Sequence, residues 1–199
     1  MNVIAITGGI GSGKSKVSNY LIEKGYPVYS ADDRSKQLLL EDNIRPKIMD
    51  LLGPDAYTRD GKEYLVNKPY IASKIFSDDV LRKKMEGIIH PAVRQDFEGW
   101  LNKQSAEFIF QESALLLASK NPYPFDKVIY IDADLDQRIE GVMRRDQTSR
   151  EQILQRIAAQ PQFEDHISQI DYIINNKFDD SLFDEIDALI KDLKNDNYE

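Results

Sequence analysis

Eight residues near the start of the chain, Gly8-Gly9-Ile10-Gly11-Ser12-Gly13-Lys14-Ser15, carry the spacing G-x-x-x-x-G-K-[ST]. Each position has a use in phosphate chemistry. Glycines let the backbone wrap an anion with its N–H groups turned inward, and the N-terminus of a following helix adds a favourable dipole. A lysine at this place reaches the β- and γ-phosphates, and the hydroxyl after it ligates Mg²⁺. Lys14 and Ser15 are the candidates for those two roles. The backbone of Gly9, Gly11, Ser12, Gly13, Ser15 and Lys16 supplies candidate phosphate contacts, and a nucleoside triphosphate is the expected ligand.

Two further constellations bear on what the triphosphate is used for. Gln137–Arg156 holds Arg138, Arg144, Arg145, Arg150 and Arg156. Phosphoryl transfer is mostly positioning and charge neutralisation, and small kinases close a cationic lid over the phosphates. At 100° per residue, Arg138 and Arg145 fall together beside the apolar face and Arg144 opposite it, so Arg145 is the arginine expected to turn inward. An ordinary charged helix surface is the plain alternative for any one of them. The other constellation, Asn176-Lys177-Phe178-Asp179, matches N-K-x-D, which reads guanine in GTP-hydrolysing switches. Such a switch also needs D-x-x-G at a strand end. The best match, Asp50-Leu51-Leu52-Gly53, ends an amphipathic helical pattern instead. A GTPase is therefore the second reading, against a strand end followed by an Asp179 or Asp180 helix cap.

These residues need elements to hold them. Asn2–Thr7 is a short apolar, β-branched run ending in glycines, the mark of a buried parallel strand. A helix from Lys14 to Lys24 follows, stopped by Gly25. Residues 27–30 form a second strand, completing a βαβ unit. Asp32 is expected at the carboxyl end of that strand, next to the strand carrying the glycine loop, in the crevice where open α/β sheets bind ligands. Asp33 is expected as an N-cap or first-turn acid of the next helix. Residues 34–104 read as mostly helical without a convincing strand. Residues 57–64 make a turn or small hairpin, Ser77 caps a helix, and His90-Pro91 breaks it. Strands resume at 107–111, 127–132 and 171–175, with a Thr148–Glu151 capping box between the last two. The pattern predicts a doubly wound five-stranded parallel sheet with an inserted helical subdomain and, from the arginine cluster, a helical lid, the arrangement of a small P-loop kinase. Glu112, at the end of the third core strand, is a second candidate carboxylate or an outer partner of Mg²⁺; a solvated strand-end acid is its plain alternative. His90 is read equally as a substrate contact or a structural histidine.

Composition limits the partners. The 199 residues carry 26 Lys and Arg against 34 Asp and Glu, a net charge of −8. That balance argues against nucleic acid and anionic membranes, which select a basic field, while a small anion needs only a few local cations. No apolar run approaches the ~18–20 residues of a membrane span. There is no signal-like N-terminus and no cysteine, so a cytoplasmic location is expected and thiolate metal sites are excluded.

Taken in order, the segments resemble the dephospho-CoA kinase family over nearly the whole chain. Thr7–Ser15 carries its T-G-G-I-G-S-G-K-S, and Ser30-Ala31-Asp32 stands for its D-A-D, with serine replacing the first acid. Ile75-Phe76 and His90-Pro91 match its I-F and H-P pairs. Glu112-Ser113-Ala114-Leu115-Leu116 matches its acid-x-P-L-L segment, with alanine for proline. Arg145-Asp146, Thr148-Ser149-Arg150-Glu151 and Ala158-Ala159-Gln160 follow its lid, and Ile174-Asn175-Asn176 its late strand. The resemblance implies transfer of the ATP γ-phosphoryl to the ribose 3′-hydroxyl of dephospho-CoA, with Mg²⁺. It implies Asp32, Lys14 and Arg145 as catalytic residues. Gly9, Gly11, Ser12, Gly13, Lys14, Ser15, Lys16, Arg145 and Asn176 would hold ATP, with Ser15 on the metal. Asp32, His90, Glu112 and Leu115 would meet dephospho-CoA. It also implies a nucleotide core of residues 1–33, 105–136 and 168–199, a CoA-binding subdomain at 34–104 and a lid at 137–167.

Overall fold

In a computed structural model, which describes residues 1–114, 116, 123–160 and 164–196, the apolar run Asn2–Thr7 forms strand β1 and is buried from Val3 onward. The chain continues through α1 (Lys14–Glu23), β2 (Val28–Ser30), α2 (Ala31–Leu38) and α3 (Arg45–Leu52). A hairpin of β3 (Tyr57–Asp60) and β4 (Glu63–Val66) leads to α4 (Lys68–Ser77) and α5 (Asp79–Leu101). Then come β5 (Phe108–Glu112), β6 (Lys127–Ala133), α6 (Leu135–Asp146), α7 (Arg150–Ala158), β7 (Tyr172–Asn176) and α8 (Ser181–Asp196). The chain divides into two compact units, Met1–Ser30 with Gln104–Glu199, and Ala31–Lys103.

The first unit is built on a five-stranded parallel sheet in the order β2-β5-β1-β6-β7. Alternation along β1 sends Ile4 and Ile6 to one face, where they join Phe108, Phe110, Ile129 and Ile131 against Val17 and Leu21 of α1 and Leu182, Ile186 and Leu189 of α8. Ala5 faces the other way, with Leu116 and Tyr130. One expectation fails in this sheet. β5 lies between β1 and β2, so the strand before Asp32 does not border the glycine-loop strand. The reason is burial: β5 is buried at every position and belongs inside the sheet, whereas three-residue β2 suits an edge.

The second unit closes around Ile44, Ile48, Leu52, Tyr57, Ile71 and Ile89. The small hairpin expected at 57–64 is present and runs to Val66 as two paired antiparallel strands, Tyr57 opposite Val66 and Asp60 opposite Glu63. Two helix boundaries also differ. Asp78, not Ser77, caps α5, its carboxylate accepting from the amides of Val80 (2.8 Å) and Leu81 (3.0 Å). His90-Pro91 does not end that helix, which runs 23 residues straight through the proline. Apolar residues on both sides of it, Met85, Ile88 and Ile89 before and Ala92 and Val93 after, pack into the same core and offset the proline's cost. Back in the first unit, Ser149 and Gln152 form the reciprocal cap of α7, one residue beyond the Thr148–Glu151 pair that fits the same pattern. No helix among the described residues is long and apolar enough to cross a membrane.

Candidate active site

The glycine loop joins the carboxyl end of β1 to α1, and positive φ angles shape it. Gly13 is the N-cap of α1 at φ +99°, and a Cβ there would stand 2.3 Å from the Asn176 amide nitrogen. Gly11 has φ +78°, and a Cβ would stand 2.8 Å from both the Arg138 carbonyl oxygen and a Val142 methyl. No other residue type fits either place without moving its neighbours.

Protein donors occupy most of the loop's carbonyls. Lys14 is 7% exposed, and its Nζ donates to Gly8 O (2.9 Å) and Gly9 O (3.0 Å). Asn176 Nδ2 donates to Ser12 O (2.8 Å), and Arg138 Nε to Ile10 O (2.9 Å). The Ile10 amide donates to Gln160 Oε1 (2.8 Å). Among the described residues, the amides of Gly11, Gly13 and Ser15 make no backbone–backbone hydrogen bond in the loop.

Under the loop, Glu112 is 5% exposed and therefore not a solvated strand-end acid. The register places it opposite Ile6 on β1. Its Oε1 accepts the Ser15 hydroxyl (3.2 Å) and its Oε2 the Ser18 hydroxyl (3.1 Å). A carboxylate holding the hydroxyl proton leaves the Ser15 oxygen lone pairs free, the donor set a hard cation such as Mg²⁺ requires. Ser15 and Glu112 thus fit a magnesium site completed by phosphate and water oxygens.

The remaining candidates fall elsewhere. Arg145 is bound by its own neighbour: Nε donates to Asp146 Oδ1 (2.7 Å), while Arg156 of α7 donates to Asp146 Oδ2 (3.1 Å). The Arg145 hydrogen bond holds the Asp146 carboxyl below the usual range, and the same contact raises the guanidinium. Arg144 is exposed, as its helical phase requires. Arg145 is exposed as well and does not turn inward as expected, because its partner Asp146 lies beside it at the end of the same helix. Lys16 is exposed, and its amide is used within the helix start, donating to Gly13 O (2.9 Å). In the second unit, Asp32 lies in the first turn of α2 and His90 is exposed within α5, not after a helix end. That unit holds an open cavity of about 390 Å³ lined in part by Ile44, Lys47, Ile88, Pro91 and Asp96. Leu115 lies outside the described residues. Sequence reasoning missed Ser18 and Gln160, although Gln160 closes the A-A-Q segment. It placed Arg138 on the correct side of α6 without seeing its partner.

The second reading of Asn176–Asp179 finds no support. Asp179 accepts from the Ser181 amide (3.0 Å) at the start of α8, and Asp50–Gly53 lies at the end of α3, not of a strand. A glycine loop between a buried parallel strand and a helix, in a sheet of this order, defines a P-loop kinase. Solved structures share the fold. A Thermus thermophilus crystal structure superposes with TM-score 0.81 at 29% identity over 96% of this chain and 97% of that one. A dephospho-CoA kinase from Campylobacter jejuni gives 0.65 at 22% over 96% of each, and a shikimate kinase from Acinetobacter baumannii 0.57 at 13%, covering 100% of this chain and 96% of that one. The dephospho-CoA kinase family model matches residues 2–181. A dephospho-CoA kinase from Bacteroides fragilis is 38% identical over 189 residues, 94% of this chain and 90% of that one. One from Porphyromonas gingivalis is 39% identical over 163 residues, 80% of this chain and 78% of that one. The chain belongs to the dephospho-CoA kinase family, and it is a kinase that uses ATP as co-substrate.

Proposed function

We propose that this chain transfers the γ-phosphoryl of ATP to the ribose 3′-hydroxyl of dephospho-CoA, releasing ADP and coenzyme A, in the cytoplasm and with Mg²⁺. The observation that carries the acceptor is the family match over residues 2–181, because the glycine loop alone commits only to the nucleotide. Asp32 accepts the proton of the attacking hydroxyl; its oxygen bonds to the γ-phosphorus as the bond to the β-phosphate oxygen breaks. Lys14 exchanges the Gly8 and Gly9 carbonyls for phosphate oxygens. Ser15 would hold the magnesium, which would neutralise charge on the phosphates. Glu112 accepts the Ser15 hydroxyl proton in a hydrogen bond and so leaves the Ser15 oxygen lone pairs for that ion, and Asn176 holds the loop through the Ser12 carbonyl. Arg145 leaves Asp146 to meet the transferred group when residues 137–167 close as a lid. Ala31–Lys103 is the substrate-binding unit, with His90 and the cavity beside α5 as its contacts to dephospho-CoA.

The test is ADP release with ATP, Mg²⁺ and a panel of dephospho-CoA, adenosine, AMP, uridine and shikimate. Dephospho-CoA is expected to exceed the others in kcat/KM by at least about 100-fold, because a site built for one acceptor leaves buried polar groups unpaired with another. Turnover of a nucleoside or shikimate with none of dephospho-CoA sinks the proposal. GTP hydrolysis without an acceptor favours the switch.

A further inference from the structure

A trans peptide group is planar, and its C=O and N–H point in opposite directions. Whatever seizes a loop carbonyl therefore aims the amide of the next residue the other way. No peptide bond among the described residues is cis. Arg138, donating to Ile10 O, turns the Gly11 amide away from itself. Asn176, donating to Ser12 O, does the same for the Gly13 amide. The peptide between Gly9 and Ile10 is held at both ends, its carbonyl by Lys14 and the Ser12 amide, its N–H by Gln160. The Ile10 side chain is fixed too, packed against the buried cluster of Ile139, Val142 and Ile153. The Arg138 guanidinium covers the loop: a Cβ on Gly9 would lie 2.1 Å from one of its terminal nitrogens.

We infer that Arg138 of α6 and Gln160, just beyond α7, are positioning residues for the nucleotide. By clamping the two peptide groups that flank Ile10, they aim the loop's amides for the phosphates. The inference rests on the nucleotide-binding reading of the loop and not on the identity of the acceptor. Four of the six residues from Gly8 to Gly13 are glycine. A segment so free in the backbone loses much conformational entropy when it orders around an anion. A clamp present before binding removes part of that loss, and its effect is on nucleotide affinity more than on chemistry.

The experiment compares Arg138→Met and Gln160→Met with wild type, using Arg144→Met as a control on the same helix. Methionine keeps side-chain length and apolar contact but removes the donor or acceptor. Calorimetric titration with ATP, ADP and dephospho-CoA is paired with steady-state kinetics and thermal melts. Gln160→Met is expected to raise the dissociation constants of ATP and ADP about 3- to 10-fold, the worth of one neutral hydrogen bond, and Arg138→Met about 10- to 100-fold, because its donor is charged. KM for ATP rises in step while kcat at saturating ATP stays within about 2-fold, the pattern of lost uniform binding. Dephospho-CoA affinity and Arg144→Met are expected to match wild type. Unchanged ATP and ADP affinities overturn the inference. So does a parallel weakening of every ligand with a falling melting temperature, which would mark a residue that supports only the fold. Should Arg138→Met not fold, Arg138→Lys, which lacks the Nε donor, takes its place. Wild-type protein that binds ATP without phosphorylating dephospho-CoA removes the acceptor assignment and leaves the clamp standing. Wild-type protein that binds neither ATP nor ADP removes both.

Discussion

Asp32 and Asp33 adjoin in the first turn of α2, yet only one is committed. Asp33 is exposed and pairs with Lys36 at 2.6 Å, while the half-buried Asp32 carboxylate makes no hydrogen bond or ion pair with a described residue. Asp33→Asn loses a surface pair worth at most ~1 kcal/mol and is expected to leave turnover and melting temperature nearly unchanged. Asp32→Asn keeps fold and ATP binding while kcat falls by ~10²–10⁴, the contribution of a positioned general base. Equal losses would put the base on the wrong carboxylate. Glu112 is expected to act through the metal. A glutamine there offers one acceptor to two serine hydroxyls, so one of them must turn. Glu112→Gln is expected to raise the Mg²⁺ concentration for half-maximal rate by about 10- to 100-fold, as loss of an outer-shell partner does elsewhere. A Mg²⁺ titration matching wild type would remove Glu112 from the metal site. Lys14, Ser15 and Glu112 were legible because each stands at a fixed offset from a loop or strand end. The grips on Ile10 were not, since they join residues 128 and 150 positions apart and depend on how α6 and α7 dock.

Helix α5 continues where local rules stop it. Pro91 has no N–H for the carbonyl of Gly87, and its ring crowds that carbonyl, at a cost of ~3 kcal/mol in a helix interior. Restoring the hydrogen bond outweighs the smaller entropic benefit proline confers through the unfolded chain. Pro91→Ala is therefore expected to stabilise the protein by ~1–2 kcal/mol, read as a higher urea midpoint with unchanged slope. An unchanged or lower midpoint would show that α5 uses its proline. The five parallel strands and the helices between them were legible from apolar runs and glycine stops. Strand order was not, because the pattern that marks β5 as buried does not say which strands flank it. The start of α7 was ambiguous for a different reason: Thr148/Glu151 and Ser149/Gln152 satisfy the same cap spacing, and only the packed backbone chooses between them.

The two units carry separate cores, so each substrate is expected to leave its own footprint. Bound at about 100 times its dissociation constant, a ligand stabilises by ~2.7 kcal/mol, enough to slow amide exchange wherever it orders the chain. ATP with Mg²⁺ is expected to protect the glycine loop and the start of α1, and dephospho-CoA to protect segments within 31–103. Protection by dephospho-CoA confined to the first unit would remove 31–103 as its binding region. The sheet order also bears on synthesis. β1 sits between β5 and β6, with Ile4 beside Phe110 and Lys127, so both its partners leave the ribosome about a hundred residues after it. At about 5–20 residues per second, that interval is about 5–20 s. Residues 31–103 complete a core of their own within it. The nascent chain therefore carries its most apolar strand unpaired while the inserted unit has already folded, and Val3–Ile6 is the segment a holding chaperone would need to cover.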